Sequence, residues 1–225
     1  MPSVLIVGAS RGIGLEFARQ YAQAGWDVHA TYRAQGSVLE GVSNIQTYKL
    51  EVTSNDDITA LKRALGDTPL DLIVLNAGVY GQDDAFFGHT DEPSWLVAMQ
   101  INAIAPLKII EALVDNVAES EEKKIVAMSS KMGSMADNSS GGSYVYRSTK
   151  AALNSVIKSM SIDLSHEHEI TVLAMHPGWV ITDMTGTNAL ITAQESVASM
   201  RTVVERCSSQ DGGKFLDYKG TEIAW

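Results

Sequence analysis

Val4-Leu5-Ile6-Val7-Gly8-Ala9-Ser10-Arg11-Gly12-Ile13-Gly14 runs from four apolar residues into a turn containing three glycines. A short apolar run of this kind reads as a strand buried on both faces. Beyond Gly14, a helical pattern continues through Phe17, Ala18 and Tyr21. Strand, glycine turn and helix is the arrangement in which backbone N–H groups and a helix N-terminus meet a pyrophosphate. The spacing is G-x-x-x-G-x-G, and a plain tight turn is the alternative reading. Its place directly after an N-terminal strand favours binding, with Gly8, Ser10, Arg11, Gly12, Ile13 and Gly14 as the expected contacts.

The alternation continues along the chain. Asp27–Tyr32, Ile45–Leu50, the nearly all-apolar Leu70–Leu75, Ile125–Met128 and Ile170–Met175 read as strands, with a last short one near Lys214–Leu216. Helical patterns fall at about Asp56–Leu65, Glu92–Val117, from Tyr146 onward, and at about Gln194–Cys207. Strands alternating with helices imply right-handed crossovers and a parallel sheet. The expected fold is therefore α/β: one Rossmann-type doubly wound domain over residues 1–225, its seven-stranded sheet mostly parallel, with helices on both faces. A short segment, 181–193, reads as a substrate lid.

In such sheets ligands bind beyond the carboxyl ends of the strands. Gly8, Glu51 and Asn76, the last in Asn76-Ala77-Gly78, fall at those ends. The second strand ends in Thr31-Tyr32-Arg33, with no carboxylate for a ribose 2′-OH. Arg11 and Arg33 instead suit a 2′-phosphate, which guanidinium binds bidentately, and NADP(H) is the expected cofactor. Glu51, beside Val52, could accept a bond from an adenine amino group or could be a solvated carboxylate.

Seventeen basic against twenty-seven acidic residues give a formal charge of −10, which argues against a nucleic-acid or anionic-membrane surface. Cys207 is the only cysteine, so neither an intrachain disulfide nor a cysteine zinc site can form, and no metal site is expected. No uninterrupted apolar run reaches transmembrane length, and Met1-Pro2-Ser3-Val4 lacks the basic region of a signal peptide. A cytoplasmic protein without a membrane partner is the expectation.

Tyr146 and Lys150 lie four apart on a helix and so share a face. A fixed ammonium beside a phenol favours the phenolate and is expected to lower the phenol's pKa from near 10. That shift would suit proton exchange at neutral pH. The same helix carries Val145, Ala152, Val156 and Met160 on one stripe and Leu153, Ile157 and Leu164 on another. So broad an apolar face suggests burial on two sides, one of them against a second subunit. On the long preceding helix Asn102 stands near Pro106, where a proline should kink the axis. Whether that Asn is structural or holds water stays open.

Taken in order, Gly8 to Gly14, Asn76-Ala77-Gly78, Asn102, Ser129-Ser130, Tyr146 with Lys150, and Pro177-Gly178 resemble the short-chain dehydrogenase/reductase family. Ser130-Lys131-Met132-Gly133-Ser134, Tyr144-Val145-Tyr146-Arg147 and Asp217 to Ile223 are similar to its branch of C-factor and sniffer-type carbonyl reductases. The resemblance implies an NADPH-dependent reduction of an aldehyde, ketone or quinone to an alcohol. It implies Tyr146 as general acid, with Lys150 lowering its pKa and holding the nicotinamide ribose. Ser130 would bond the substrate oxygen and Asn102 would anchor a water leading to Lys150. Asn76, Ala77 and Gly78, with Pro177, Gly178, Val180 and Thr182, would line the cofactor, and a homodimer or homotetramer is implied. Two departures stand out: Ser130 and Tyr146 are sixteen apart where thirteen is common, and Leu75 replaces an Asn. A non-catalytic NADP-binding sensor or signalling protein is the rival reading. Met132, Met135, Trp179 and Met184 suggest an apolar, adaptable substrate pocket.

Overall fold

The structure, a computed structural model, describes residues 1–34, 39, 41–82 and 85–225. Strands β1 (Ser3–Val7), β2 (Asp27–Tyr32), β3 (Ile45–Lys49), β4 (Leu72–Leu75), β5 (Lys124–Met128), β6 (Thr171–His176) and β7 (Phe215–Asp217) form one sheet in the order β3-β2-β1-β4-β5-β6-β7. Every pairing is parallel, beginning with Val4 opposite Val28 on one side and Leu72 on the other. The mostly parallel sheet expected from the sequence is thus parallel throughout.

A strand buried on both faces sends alternate side chains into two cores. Leu5 and Val7 join Ile73, Leu75, Ile125 and Ala127 on one face. Helices α2 (Asn55–Leu65), α4 (Ala105–Ala118) and α5 (Tyr144–His168) cover it with Leu61, Ile109, Leu113, Leu153 and Ile157. Val4 and Ile6 join Leu72, Val74, Val126 and Leu173 on the other, beneath Phe17 and Tyr21 of α1 (Gly12–Gln23) and Val197 and Met200 of α6 (Ala193–Arg206).

The chain leaves β1 for β2 on one side and reaches β4 on the other, so a crevice opens at the carboxyl ends of β1 and β4. Glycine is required there. Gly8 sits at φ +86°, and a Cβ on Gly14 would lie 2.1 Å from the Gly8 carbonyl oxygen. That same oxygen accepts a 2.8 Å bond from Asn76 Nδ2, tying the two strand ends together.

The helix read as continuous from Glu92 to Val117 has three parts: α3 (Glu92–Met99), a π-helical turn (Gln100–Ile104) and α4. The Ala105 N–H reaches the Gln100 carbonyl, one residue farther than in an α-helix. The break expected at Pro106 therefore falls at residues 100–104, and Pro106 begins the next regular piece, where its missing N–H is tolerated. By length and composition Glu92–Ala118 could cross a bilayer, which a search for unbroken apolar runs passes over. Its Ile109, Ile110, Leu113 and Val117 are buried in the domain core.

Candidate active site

Tyr146 and Lys150 are in the first two turns of α5, facing the carboxyl ends of β4 and β5. Lys150 is almost fully buried, and its ammonium donates a 2.8 Å bond to the Met128 carbonyl at the end of β5. Its Nζ lies 5.8 Å from the centroid of the Tyr146 ring. Burial lowers the Lys150 pKa to about 8. Tyr146 goes the opposite way from the sequence expectation: burial pushes its phenol up to about 12, a Ser130 hydrogen bond lowers it and Tyr80 raises it. Removal from water opposes the phenolate, while the Lys150 charge is directed at a backbone carbonyl.

Three serines close to this phenol are sorted by their partners. Ser129 Oγ donates to Asn154 Oδ1 at 2.5 Å, and Ser134 Oγ donates to the Ala224 carbonyl at 2.5 Å. Ser130 accepts a bond from the Met132 N–H, and of the three its hydroxyl is the one that lowers the Tyr146 pKa. The turn after it is pressed onto α5, since a Cβ on Gly133 would lie 2.8 Å from the Lys150 carbonyl carbon. The longer Ser130–Tyr146 interval is taken up beyond this contact, where Gly141 and Gly142 both have φ +65°.

Asn102 is fully buried and its amide is occupied by protein groups. Its Oδ1 accepts from the Val79 N–H at 2.9 Å, and its Nδ2 donates to the Val79 carbonyl at 2.8 Å and to Thr149 Oγ1 at 3.0 Å. The side chain thus clamps the turn after β4 to α5. Gly78 lies in this junction, where a Cβ would stand 3.2 Å from Asn102 Oδ1 and 3.5 Å from Lys150 Nζ.

The glycine turn leads into a helix N-terminus with no side-chain cap. The N-termini of α2, α3 and α6 are capped by Ser54, Asp91 and Thr192 and carry acidic residues in their first turns. Helix α1 has no side-chain cap and no acid there, so its positive end is left uncompensated by its own side chains. Pro177, Gly178, Val180 and Thr182 follow β6, and Thr182 reaches Gly12, whose Cβ would lie 3.5 Å from Thr182 Cγ2. In the segment expected as a lid, Ile181 and Leu190 pair with Ile191 and Trp179, closing residues 179–191 into a loop.

The other expected contacts are less gathered. Arg11 Nη1 forms a 2.7 Å ion pair with Asp183 Oδ2. Arg33 is exposed at the end of β2, immediately before residues 35–38 and 40, which lie outside the described part of the chain. The Glu51 carboxylate accepts from the N–H and hydroxyl of Thr53 at 3.3 and 3.1 Å, closing its own turn; Val52 packs against the core. Sequence reasoning missed Tyr80, which stacks on Tyr146, and Asp183 as the Arg11 partner. Both contacts join segments remote in sequence, and neither residue belongs to a pattern of spacing.

The profile of the short chain dehydrogenase family matches residues 2–190. The chain belongs to this family. Among its relatives, the C-signal protein of Myxococcus xanthus is 41% identical over 157 residues, covering 70% of this chain and 93% of that one. The solved structure of the carbonyl reductase Sniffer of D. melanogaster superposes with a TM-score of 0.92 at 28% identity, covering 100% of both chains. An NADPH-bound carbonyl reductase from chicken fatty liver gives 0.92 at 31% identity, covering 100% of this chain and 99% of that one. Of the branch names reached from the sequence, sniffer recurs among these short-chain dehydrogenase relatives.

The partners of the serines lead to a direct expectation. Ser130→Ala should lower turnover by roughly two to three orders of magnitude, as for loss of one donor to a developing oxyanion. Ser129→Ala and Ser134→Ala should cost far less. Steady-state rates of the three variants decide the register, and a dead Ser129→Ala or Ser134→Ala beside a nearly normal Ser130→Ala would overturn it.

Proposed function

We propose that the chain is an NADPH-dependent carbonyl reductase in which Tyr146 is the general acid. The observation that carries this reading is the junction of a half-buried phenol, the Ser130 hydroxyl and the Lys150 ammonium at the carboxyl edge of a parallel sheet, beside an uncapped helix N-terminus. The residues fit a dinucleotide. Gly8, Gly12 and Gly14 leave the turn without side chains, and Ser10, Arg11 and Ile13 complete it at the start of α1. Asn76, Ala77 and Gly78 would line the middle of the crevice, with Lys150 on the nicotinamide ribose and Pro177, Gly178, Val180 and Thr182 closing over it.

When bound, NADPH supplies the hydride. Arrival of the hydride at the carbonyl carbon leaves an electron pair on oxygen, and Ser130 is placed to hydrogen-bond that oxygen as the charge grows. The Tyr146 O–H then delivers its proton there, giving the alcohol and a phenolate. An alkoxide is a much stronger base than a phenolate, so a phenol near pKa 12 still donates. The Lys150 ammonium next to the ring stabilises the phenolate that remains. The substrate reading is an apolar aldehyde, ketone or quinone, supported by Met135, Trp179 and Met184 exposed on the loops after β5 and β6. The same reading places a second copy of the chain over the exposed Leu96, Val97, Ile104 and Ile162 of α3, the π turn and α5.

A non-catalytic signalling role is the second reading, favoured by the likeness to C-signal. It requires neither Tyr146 nor Ser130, so turnover separates the two. NADPH oxidation with a panel of aldehydes, ketones and quinones should be abolished almost completely by Tyr146→Phe, with NADPH binding kept. Tyr144→Phe is the control, because Tyr144 lies partly exposed and six residues from Lys150, and it should retain a substantial fraction. Equal turnover in the two variants would remove Tyr146 from the mechanism.

Arg33 and the missing carboxylate after β2 give the cofactor expectation. Catalytic efficiency should favour NADPH over NADH, and Arg33→Asp should narrow or reverse the preference. Equal efficiency with both cofactors in the unmodified protein would refute the assignment of Arg11 and Arg33 to a 2′-phosphate.

A further inference from the structure

The Tyr80 ring lies against the Tyr146 ring, with centroids 4.7 Å apart and planes 24° from parallel. Aromatic pairs in this range are held in a preferred offset geometry. Tyr80 is anchored at its far end, where its hydroxyl and Ser143 Oγ share a 2.8 Å hydrogen bond. Ser143 is the N-cap residue of α5, where a serine hydroxyl ordinarily accepts from an N–H of the first turn. Here it makes no such bond, and its backbone is held at φ +47°, a conformation uncommon for a residue with a side chain.

The backbone around Tyr80 is fixed as well. Asn102 holds both the N–H and the carbonyl of Val79. Gly81 sits at φ +85°, and a Cβ there would lie 2.6 Å from Val145 Cγ1 and 3.3 Å from Ala98 Cβ. Residues 79–81 are therefore clasped between the π turn and the first turn of α5. The clasp presents one side chain to the site, the ring of Tyr80.

We propose that Tyr80 is a positioning residue for Tyr146: its stack, anchored by Ser143, fixes the plane of the phenol and closes one ring face to water. The substrate oxygen then meets Tyr146 at its hydroxyl end only. Asn102 acts through the same path, by holding Val79 and with it Tyr80. This inference rests on Tyr146 being the general acid.

The test compares Tyr80→Leu, which removes the ring but keeps apolar bulk, with Tyr80→Phe, which keeps the ring and loses the Ser143 bond. With saturating NADPH, Tyr80→Leu should lower kcat by on the order of tenfold to a hundredfold, as for a displaced catalytic group. NADPH affinity, read by fluorescence, should stay within twofold of the parent, and Tyr80→Phe should recover most of the rate. Flipping of the Tyr146 ring, read by NMR of ring-labelled tyrosine and assigned through Tyr146→Phe, is independent of turnover. It should be faster in Tyr80→Leu than in either the parent or Tyr80→Phe. Identical flipping in all three proteins, a kcat for Tyr80→Leu within twofold of the parent, or a parallel loss of NADPH affinity would each overturn the proposal. If no carbonyl is reduced by the parent, the functional reading fails while ring flipping still decides the role of the stack.

Discussion

A lysine ammonium enclosed by protein, with no carboxylate beside it among the described residues, is the constraint around which this site is built. Lys150 keeps one backbone carbonyl, that of Met128, as its hydrogen-bond partner. Its pKa near 8 leaves it mostly charged at neutral pH. The gap from the ordinary value of 10.5 corresponds to a cost on the order of 3 kcal/mol for holding that charge in the fold. The surroundings are shaped to keep it there. Gly133 admits the backbone of α5, Gly78 leaves room above the ammonium, and Asn102 joins the turn after β4 to Thr149 on the same helix. Such a cost persists where function needs it.

Tyr146 and Lys150 are pushed in opposite directions by one cause. Burial disfavours the charged form of each, raising the phenol and lowering the ammonium. At neutral pH the result is a protonated phenol beside a cation, the state required of an acid that must donate once and then be left as an anion. In the proposed reaction the Lys150 charge has its largest effect after the proton has left. In the resting site the ammonium points to Met128, and no lowering of the phenol is seen.

The α/β class and the order of strands and helices were legible in the sequence because two-sided burial writes long apolar runs, and because glycine marks the turn where Gly14 meets Gly8. Strand ends shifted by a residue or two at β4 and β7, where single backbone bonds decide the boundary. The helix break was expected at Pro106 and lies instead at the π turn of residues 100–104, since a proline announces itself in sequence while an extra residue in a helical turn does not. Ser130 was named from the family resemblance, and the structure adds that Gly133, three residues on, packs against the backbone of Lys150. The sign of the Tyr146 shift was not legible. A spacing of four residues reports that two groups share a helix face, but not how much water reaches them. The Arg11–Asp183 pair was hidden for a similar reason, as 172 residues separate its partners.

The central claim, that the buried Lys150 charge is what makes Tyr146 a usable acid in the assembled site, is tested by titrating the phenol through its tyrosinate absorbance. The titration is run with and without saturating NADP⁺, in the parent and in Lys150→Met, with Tyr146→Phe as the blank. The account predicts that the cofactor lowers the Tyr146 pKa clearly in the parent, by about one unit or more as for a neighbouring opposite charge, and leaves it high in Lys150→Met. An unchanged pKa in the parent, or an equal fall in both proteins, would contradict it.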